Sequence, residues 1–303
     1  MTKPSQQIPF FKAHGFGNDF LVVEFGALPD TGEEALKNIA LQMCDRHRGV
    51  GADGVAYVFK GTDYPQLDFS IRLFNSDGSE TGMSGNGIRC AAAVHHWKNP
   101  GMTKEIVLGS LVGRRTLRLL QQEGARFVYS AEMGVPSFKK ADIPFLDDGL
   151  PPGKGRLRGL DVVGIPVPVQ DRHFEITAMF VGNPQCILLT NDFDFDWQRY
   201  GQALETHPRF PHKTNVEFVR VVDEHTIEIR IWERGAGHTE SSGTGSIASA
   251  VGAILNGHAA SPVHVITEGG ELEVEWKGIG HPVFLTGEAE VIGEGIFYCR
   301  RVL

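Results

Sequence analysis

Apolar positions recur at a period of two through most of this chain. Short alternating or continuous apolar runs at 21–23, 55–59, 67–73, 106–108, 126–129, 186–189, 227–231, 272–276 and 283–285 read as strands. Helical periodicity is rarer. It predicts helices over 33–44, over 197–204 and over 139–143, and behind each of two glycine turns. Many strands and few helices predict an α+β chain, with each half curling its strands around one helix.

The two glycine turns are Ser84-Gly85-Asn86-Gly87 and Ser242-Gly243-Thr244-Gly245. An alternating strand enters each and ends on a polar residue, Asn75 or Glu233, that precedes the serine by 9 positions. A run of small residues follows each turn, Cys90-Ala91-Ala92-Ala93-Val94 or Ile247-Ala248-Ser249-Ala250-Val251. Farther upstream, Gly17-Asn18-Asp19 and Gly182-Asn183-Pro184 precede the matching serines by 66 and 59 residues, counted from each Asn. This shared order predicts an internal duplication: a first half of 1–126 with about 288–303, and a second of 127–287. The Pro/Gly-rich stretch 144–160 reads as an exposed excursion of the second half, and a last strand from 293 to 303 as a return to the first.

With 303 residues and 41% hydrophobic positions the chain can bury two cores. A formal net charge of −8 and the lack of a basic stripe argue against a nucleic-acid partner. No stretch approaches the ~20 apolar residues of a membrane span, and the N-terminal residues lack the apolar core of a signal peptide, so a cytoplasmic location is expected. Cys44, Cys90, Cys186 and Cys299 have no metal-ligand spacing and read as reduced, buried small hydrophobes. The histidines form no zinc motif, so no metal is expected. The segment 47–54 contains G-x-G-x-x-G, yet a strand-like run follows it where a dinucleotide fold needs a helix.

A helix N-terminus presents unpaired N–H groups and partial positive charge, which suits a carboxylate or phosphate. Two such termini carrying hydroxyls would clamp one anionic group and flank the atom beside it. For an amino acid that atom is the α-carbon, the arrangement a two-sided racemase needs. The plainer reading is that Ser84 and Ser242 are helix N-caps.

The segments Lys12–Phe20, Asp45–His47, Phe74–Glu80, Ser84–Arg89, Gly182–Pro184, Thr214–Val216, Glu233–Gly235 and Gly243–Gly245 resemble, in order, those of diaminopimelate epimerases. The resemblance implies two pseudo-symmetric domains with the site in the cleft, and cofactor-free epimerisation of LL-diaminopimelate to the meso form for lysine and peptidoglycan precursors. It implies that Gly85, Asn86, Gly243 and Thr244 hold the reacting carboxylate. Asn18, Asn75, Asn183, Asn215, Glu233 and Arg234 would read the rest of the substrate. The side-chain chemistry agrees, since Arg suits a carboxylate, Glu an ammonium, and Asn either. The family's two catalytic cysteines align with Ser84 and Ser242, its usual histidine with Gln185, and Gly237-His238-Thr239 stands where Gly-Glu-Thr is common.

A thiol titrates near 8.5 and an aliphatic hydroxyl more like water, near 15.7, so the usual thiolate is about 10 kcal/mol harder to form here. The catalytic set expected is therefore Ser84, Ser242 and Glu233, with His238 a second candidate base and the serines as relays. The alternatives are a slow or non-catalytic amino-acid-binding relative, or a cofactor-free isomerase of another amino acid. A small amino acid is the expected partner, and the sequence leaves a homodimer open.

Overall fold

The computed structural model describes residues 6–28, 32–60, 66–147, 149–150 and 159–299. Its contacts divide the chain into two units, Met1–Ala131 with Gly287–Leu303, and Glu132–Thr286. In chain order the first unit contains β1 (Gln6–Gly15), β2 (Asn18–Glu24), α1 (Glu33–Cys44), β3 (Gly54–Lys60), β4 (Phe69–Asn75), β5 (Glu80–Thr81), α2 (Gly85–Lys98), β6 (Glu105–Ser110), β7 (Gly113–Glu123) and most of β8 (Arg126–Gly134). The second contains β9 (Ile165–Val169), β10 (Arg172–Phe180), β11 (Pro184–Thr190), α3 (Trp197–Glu205), β12 (Asn215–Asp223), β13 (Thr226–Glu233), β14 (Gly237–Thr239), α4 (Gly243–Leu255), β15 (Val263–Thr267) and β16 (Gly270–Trp276). The final strand, β17 (Val283–Cys299), begins in the second unit and ends in the first.

The two units share one topology. In the first, the strands run β17-β1-β2-β3-β4-β6-β7-β8, with parallel contacts only at β2–β3 and β4–β6. In the second they run β9-β10-β11-β12-β13-β15-β16-β17, with parallel contacts only at β11–β12 and β13–β15. A tight hairpin cannot join parallel neighbours, so each such contact needs a crossover. That accounts for the four α-helices of the described residues, one in each of the four crossovers.

Small residues decide what each sheet wraps. Every residue from Gly85 to Val94 of α2 is buried, and so is every residue from Gly243 to Ala253 of α4. Ala91, Ala92 and Ala93 let strands approach α2 from all sides, and Gly252 sets α4 against Ile187, which a methyl there would meet at 3.0 Å. In the first unit the sheet curls until Val291 N–H reaches Ala125 O at 3.0 Å. Helix α1 lies outside this wrap and buries one stripe (Leu36, Ile39, Ala40, Met43) against Val55 and Tyr57; Leu36, Ile39 and Met43 each contribute about 1.5–3 kcal/mol.

One expectation changes. The 139–143 segment is a turn, with Asp142 and Ile143 N–H both bonded to Lys139 O, and not a helix. Pro144 disfavours helical backbone at Ile143 and supplies no N–H, and so short a segment cannot nucleate. Of the excursion expected at 144–160, residue 148 and residues 151–158 lie outside the described residues, as do 300–303 of the final strand.

The loop after α1 leaves no room for a side chain at Gly49. A methyl there would stand 2.1 Å from Gln42 O, 2.7 Å from Met43 O and 2.9 Å from Asp45 O. Backbone atoms cannot swing aside as a flexible side chain can. Gly49→Ala should therefore lose about 1–3 kcal/mol, read from the urea midpoint; an unchanged midpoint would contradict the packing described.

Candidate active site

The two glycine turns fold alike. Ser84 and Ser242 are extended, at φ −143° and −141°, and each caps the helix behind it. Ser84 Oγ accepts the Gly87 N–H at 3.1 Å and Ser242 Oγ the Gly245 N–H at 3.2 Å. The serine carbonyls accept Ile88 N–H at 3.0 Å and Ser246 N–H at 2.9 Å. These bonds use the third and fourth N–H groups of each helix start. The N–H groups of Gly85 and Asn86, and of Gly243 and Thr244, have no partner among the described residues. Each turn thus offers two adjacent donors at the positive end of a buried helix, a ready seat for a carboxylate.

The turns differ in the side chains around them. Ser242 donates its hydroxyl to Glu233 Oε1 at 2.7 Å. Burial raises the Glu233 pKa above the ordinary glutamate range, although the Ser242 hydroxyl pulls it the other way. Asn75 occupies the equivalent place in the first unit, where it is exposed and donates to Ser79 Oγ at 2.9 Å. Ser84 has no acceptor for its own hydroxyl among the described residues. A carboxyl therefore serves one serine only.

The remaining expected residues fall into local networks. Asn18 Nδ2 donates to Asp53 at 3.0 Å, and Asn86 Nδ2 donates to Asn18 Oδ1 at 3.2 Å. Arg89, fully buried, donates to Asn86 Oδ1. Asn183 Oδ1 accepts from Gln185 Nε2. Asn215, buried, accepts the Arg234 N–H at 2.8 Å, which fixes the backbone where Arg234 turns outward. Glu205 completes that corner, accepting from Trp232 Nε1 at 2.9 Å, Gly235 N at 3.1 Å and Lys213 Nζ at 3.1 Å. Burial pushes the Glu205 carboxyl up, but those three donors together bring it below the usual glutamate range.

His238 does not join the Glu233–Ser242 pair. On β14 it lies opposite Trp232, one residue out of step with Glu233, so its ring takes the other face of the ribbon. There Glu268 holds Nε2 at 2.6 Å and Trp197 packs edge-on at 5.1 Å. Nor do the chain's own thiols replace those the serines lack. All four cysteines are buried; burial pushes Cys90 up to about 12 and Cys186 well above the usual thiol range.

Sequence reasoning passed over Glu205, Arg89 and Glu217. The signal for the last was present: one acidic residue inside the apolar strand 216–221. Among the described residues no group of His, Cys, Asp and Glu is placed to hold a metal, and no helix is long and apolar enough to cross a membrane.

The profile of the diaminopimelate epimerase family matches residues 10–139 and 177–292. A diaminopimelate epimerase of Pelotomaculum thermopropionicum is 39% identical over 292 residues, 96% of this chain and 99% of that protein. One from Desulforudis audaxviator is 38% identical over 289 residues, 94% and 98% of the two chains. A hydroxyproline epimerase from Agrobacterium vitis, solved with trans-4-hydroxy-L-proline, shares the fold at a TM-score of 0.68 with 12% identity, covering 98% of this chain and 92% of that one. So does a predicted epimerase from Pseudomonas aeruginosa, at a TM-score of 0.64 and 15% identity, over 95% and 98%. Near-full-length identity of this order, on two units that repeat one topology and one serine-capped turn, means that the chain belongs to the diaminopimelate epimerase family.

Proposed function

We propose that this chain epimerises LL-diaminopimelate to the meso form without a cofactor. The observation that carries the reading is the pair of serine-capped turns, each presenting two unpartnered backbone N–H groups. Donors of this kind hold a substrate carboxylate and gain strength as it takes up charge from the α-carbon, where the negative charge of proton removal is delocalised. The difference between the turns gives the two serines different roles. At Ser242, the bond to Glu233 lets the α-proton pass to Oγ as the hydroxyl proton moves to the carboxylate. Ser84, whose hydroxyl has no acceptor among the described residues, is assigned the return of a proton to the α-carbon; solvent reloads its oxygen and takes up the proton left on Glu233. Asn18, Asn75, Asn183, Asn215 and Arg234 read the remaining polar groups of the substrate. A chain without an apolar span long enough to cross a membrane, with a small polar substrate, fits the cytoplasm.

Binding without turnover is the second reading, and one observation favours it: both serine oxygens are already engaged as helix caps. Incubating LL-diaminopimelate with the protein in deuterated water separates the two. Loss of the α-proton resonance with appearance of the meso isomer supports epimerisation. Saturable binding without exchange supports the second reading, and neither result would remove diaminopimelate as the ligand.

A further inference from the structure

Under the Ser242 turn lies a carboxyl group that the proposed reaction does not use. Glu217, the third residue of β12, is 0% exposed, and neither of its oxygens has a hydrogen-bond partner among the described residues. A methyl added at Gly245, in the first turn of α4, would stand 3.1 Å from Glu217 Oε1. The matching position in the first unit is lined by carbon: a methyl at Gly87 would meet Leu73 and Phe20 instead. The carboxyl is thus peculiar to the turn that also carries Glu233.

Gln185 presents a complementary defect. It is also 0% exposed, and while its Nε2 bonds to Asn183, its Oε1 has no partner among the described residues. In the parallel pair β11–β12, Ile187 lies opposite Glu217 and Gln185 opposite Asn215. Gln185 and Glu217 are therefore diagonal neighbours on one sheet face, within reach of two long side chains. An ionised Glu217 gives the orphan amide oxygen nothing, since both groups only accept. A protonated Glu217 donates to it and satisfies both buried groups at once.

We propose that Glu217 is a positioning residue held as an uncharged carboxylic acid, hydrogen-bonded to Gln185, and that its neutrality keeps the N-terminus of α4 receptive to a substrate carboxylate. An ionised Glu217 would set a negative charge beneath that turn and oppose the anion. Burial, followed by the charge of Glu233, pushes the Glu217 carboxyl well above the usual glutamate range, in agreement with the geometry. Glu233 on β13 and Cys186 on β11 are its titratable neighbours, α4 carries no titratable side chain, and α3 packs on the other face, where Trp197 meets Phe218. With the proton on Glu217, Glu233 is the member of the pair free to ionise and serve Ser242.

The inference rests on the carboxylate-binding role of the α4 turn given above, and its test has arms that need no substrate. Infrared spectra near neutral pH should show the carbonyl stretch of a protonated carboxylic acid, absent in Glu217→Gln and retained in Glu233→Gln. The sign of the stability effect follows from the raised pKa: the folded state keeps a proton that the unfolded chain releases above the ordinary glutamate pKa of about 4.3. Wild-type stability should fall as pH rises from there until the folded group ionises. The melting temperature of Glu217→Gln should exceed it by a margin that widens over the same range. A band that survives in Glu217→Gln, or a constant margin, overturns the proposal. The third arm uses diaminopimelate: wild-type KM should rise about tenfold or more, with kcat steady, once pH passes the point at which the band disappears, and KM of Glu217→Gln should not follow. If the first two arms hold and KM stays flat in the wild type, the protonated acid stands, and its link to carboxylate binding at α4 is overturned.

Discussion

Replacing both turn serines, as Ser84→Cys/Ser242→Cys, should raise α-proton exchange of LL-diaminopimelate by about a thousandfold or more. A cysteine thiol titrates near 8.5 and a hydroxyl near 15.7, a gap of about 7 units or about 10 kcal/mol. A helix N-terminus lowers a thiol further, and both turns are such termini. A thousandfold gain corresponds to about 4 kcal/mol of barrier, so less than half of the ionisation gap has to reach the transition state. The substitution weakens two N-caps, at about 0.5–2 kcal/mol each, and the melting temperature must be followed beside the rate. Each single replacement should recover only part of the gain, because the other turn still carries a hydroxyl. Unaltered exchange in a folded, ligand-binding double variant would mean that these positions do not face the α-carbon.

Much of this arrangement could be read along the chain because it depends on short-range order. The strands of both units, the helix over residues 33–44 and the helices behind Ser84 and Ser242 all have local signals: alternation, apolar spacing, and a hydroxyl before glycine. The duplication was legible because the same residue types recur in the same order. What the sequence hid is whatever depends on register. Glu205 reads as an ordinary acidic residue at a helix end, and only the fold brings Trp232, Lys213 and Gly235 to its carboxylate. His238 looked close to Ser242 by count, yet the β13–β14 pairing turns its ring to the face opposite Glu233. Gln185 and Glu217 lie 32 positions apart in sequence. Their shared burial appears only when β11 and β12 pair, and an acidic residue in a sequence reads by default as solvated. The 139–143 segment is not helical for a local reason that stands in the sequence, Pro144.

The second large effect belongs to Glu233. Glu233→Gln keeps the shape of the side chain and leaves an amide oxygen to accept the Ser242 hydroxyl, so the cap on α4 should survive. What disappears is, among the described residues, the only carboxylate bonded to a turn serine. Removal of a positioned general base lowers rates by about 10²–10⁴, and exchange should fall by that factor while diaminopimelate still protects the protein against thermal unfolding. The pH dependence gives an independent check. Burial raises the folded pKa of Glu233, so the acid limb of kcat should lie above the ordinary glutamate value of about 4.3, with activity rising as the group ionises. The limb should be missing from the residual rate of Glu233→Gln. Stability runs the other way: the folded state holds this proton more tightly than the unfolded chain does. Glu233 therefore contributes most at low pH, and its contribution falls as pH climbs through the folded pKa. The glutamine variant should accordingly be as stable as the wild type or more so at neutral pH while being far slower. A residue whose loss improves the fold and removes the reaction is held there for chemistry. Loss of activity together with loss of stability would assign Glu233 to the architecture of the turn instead.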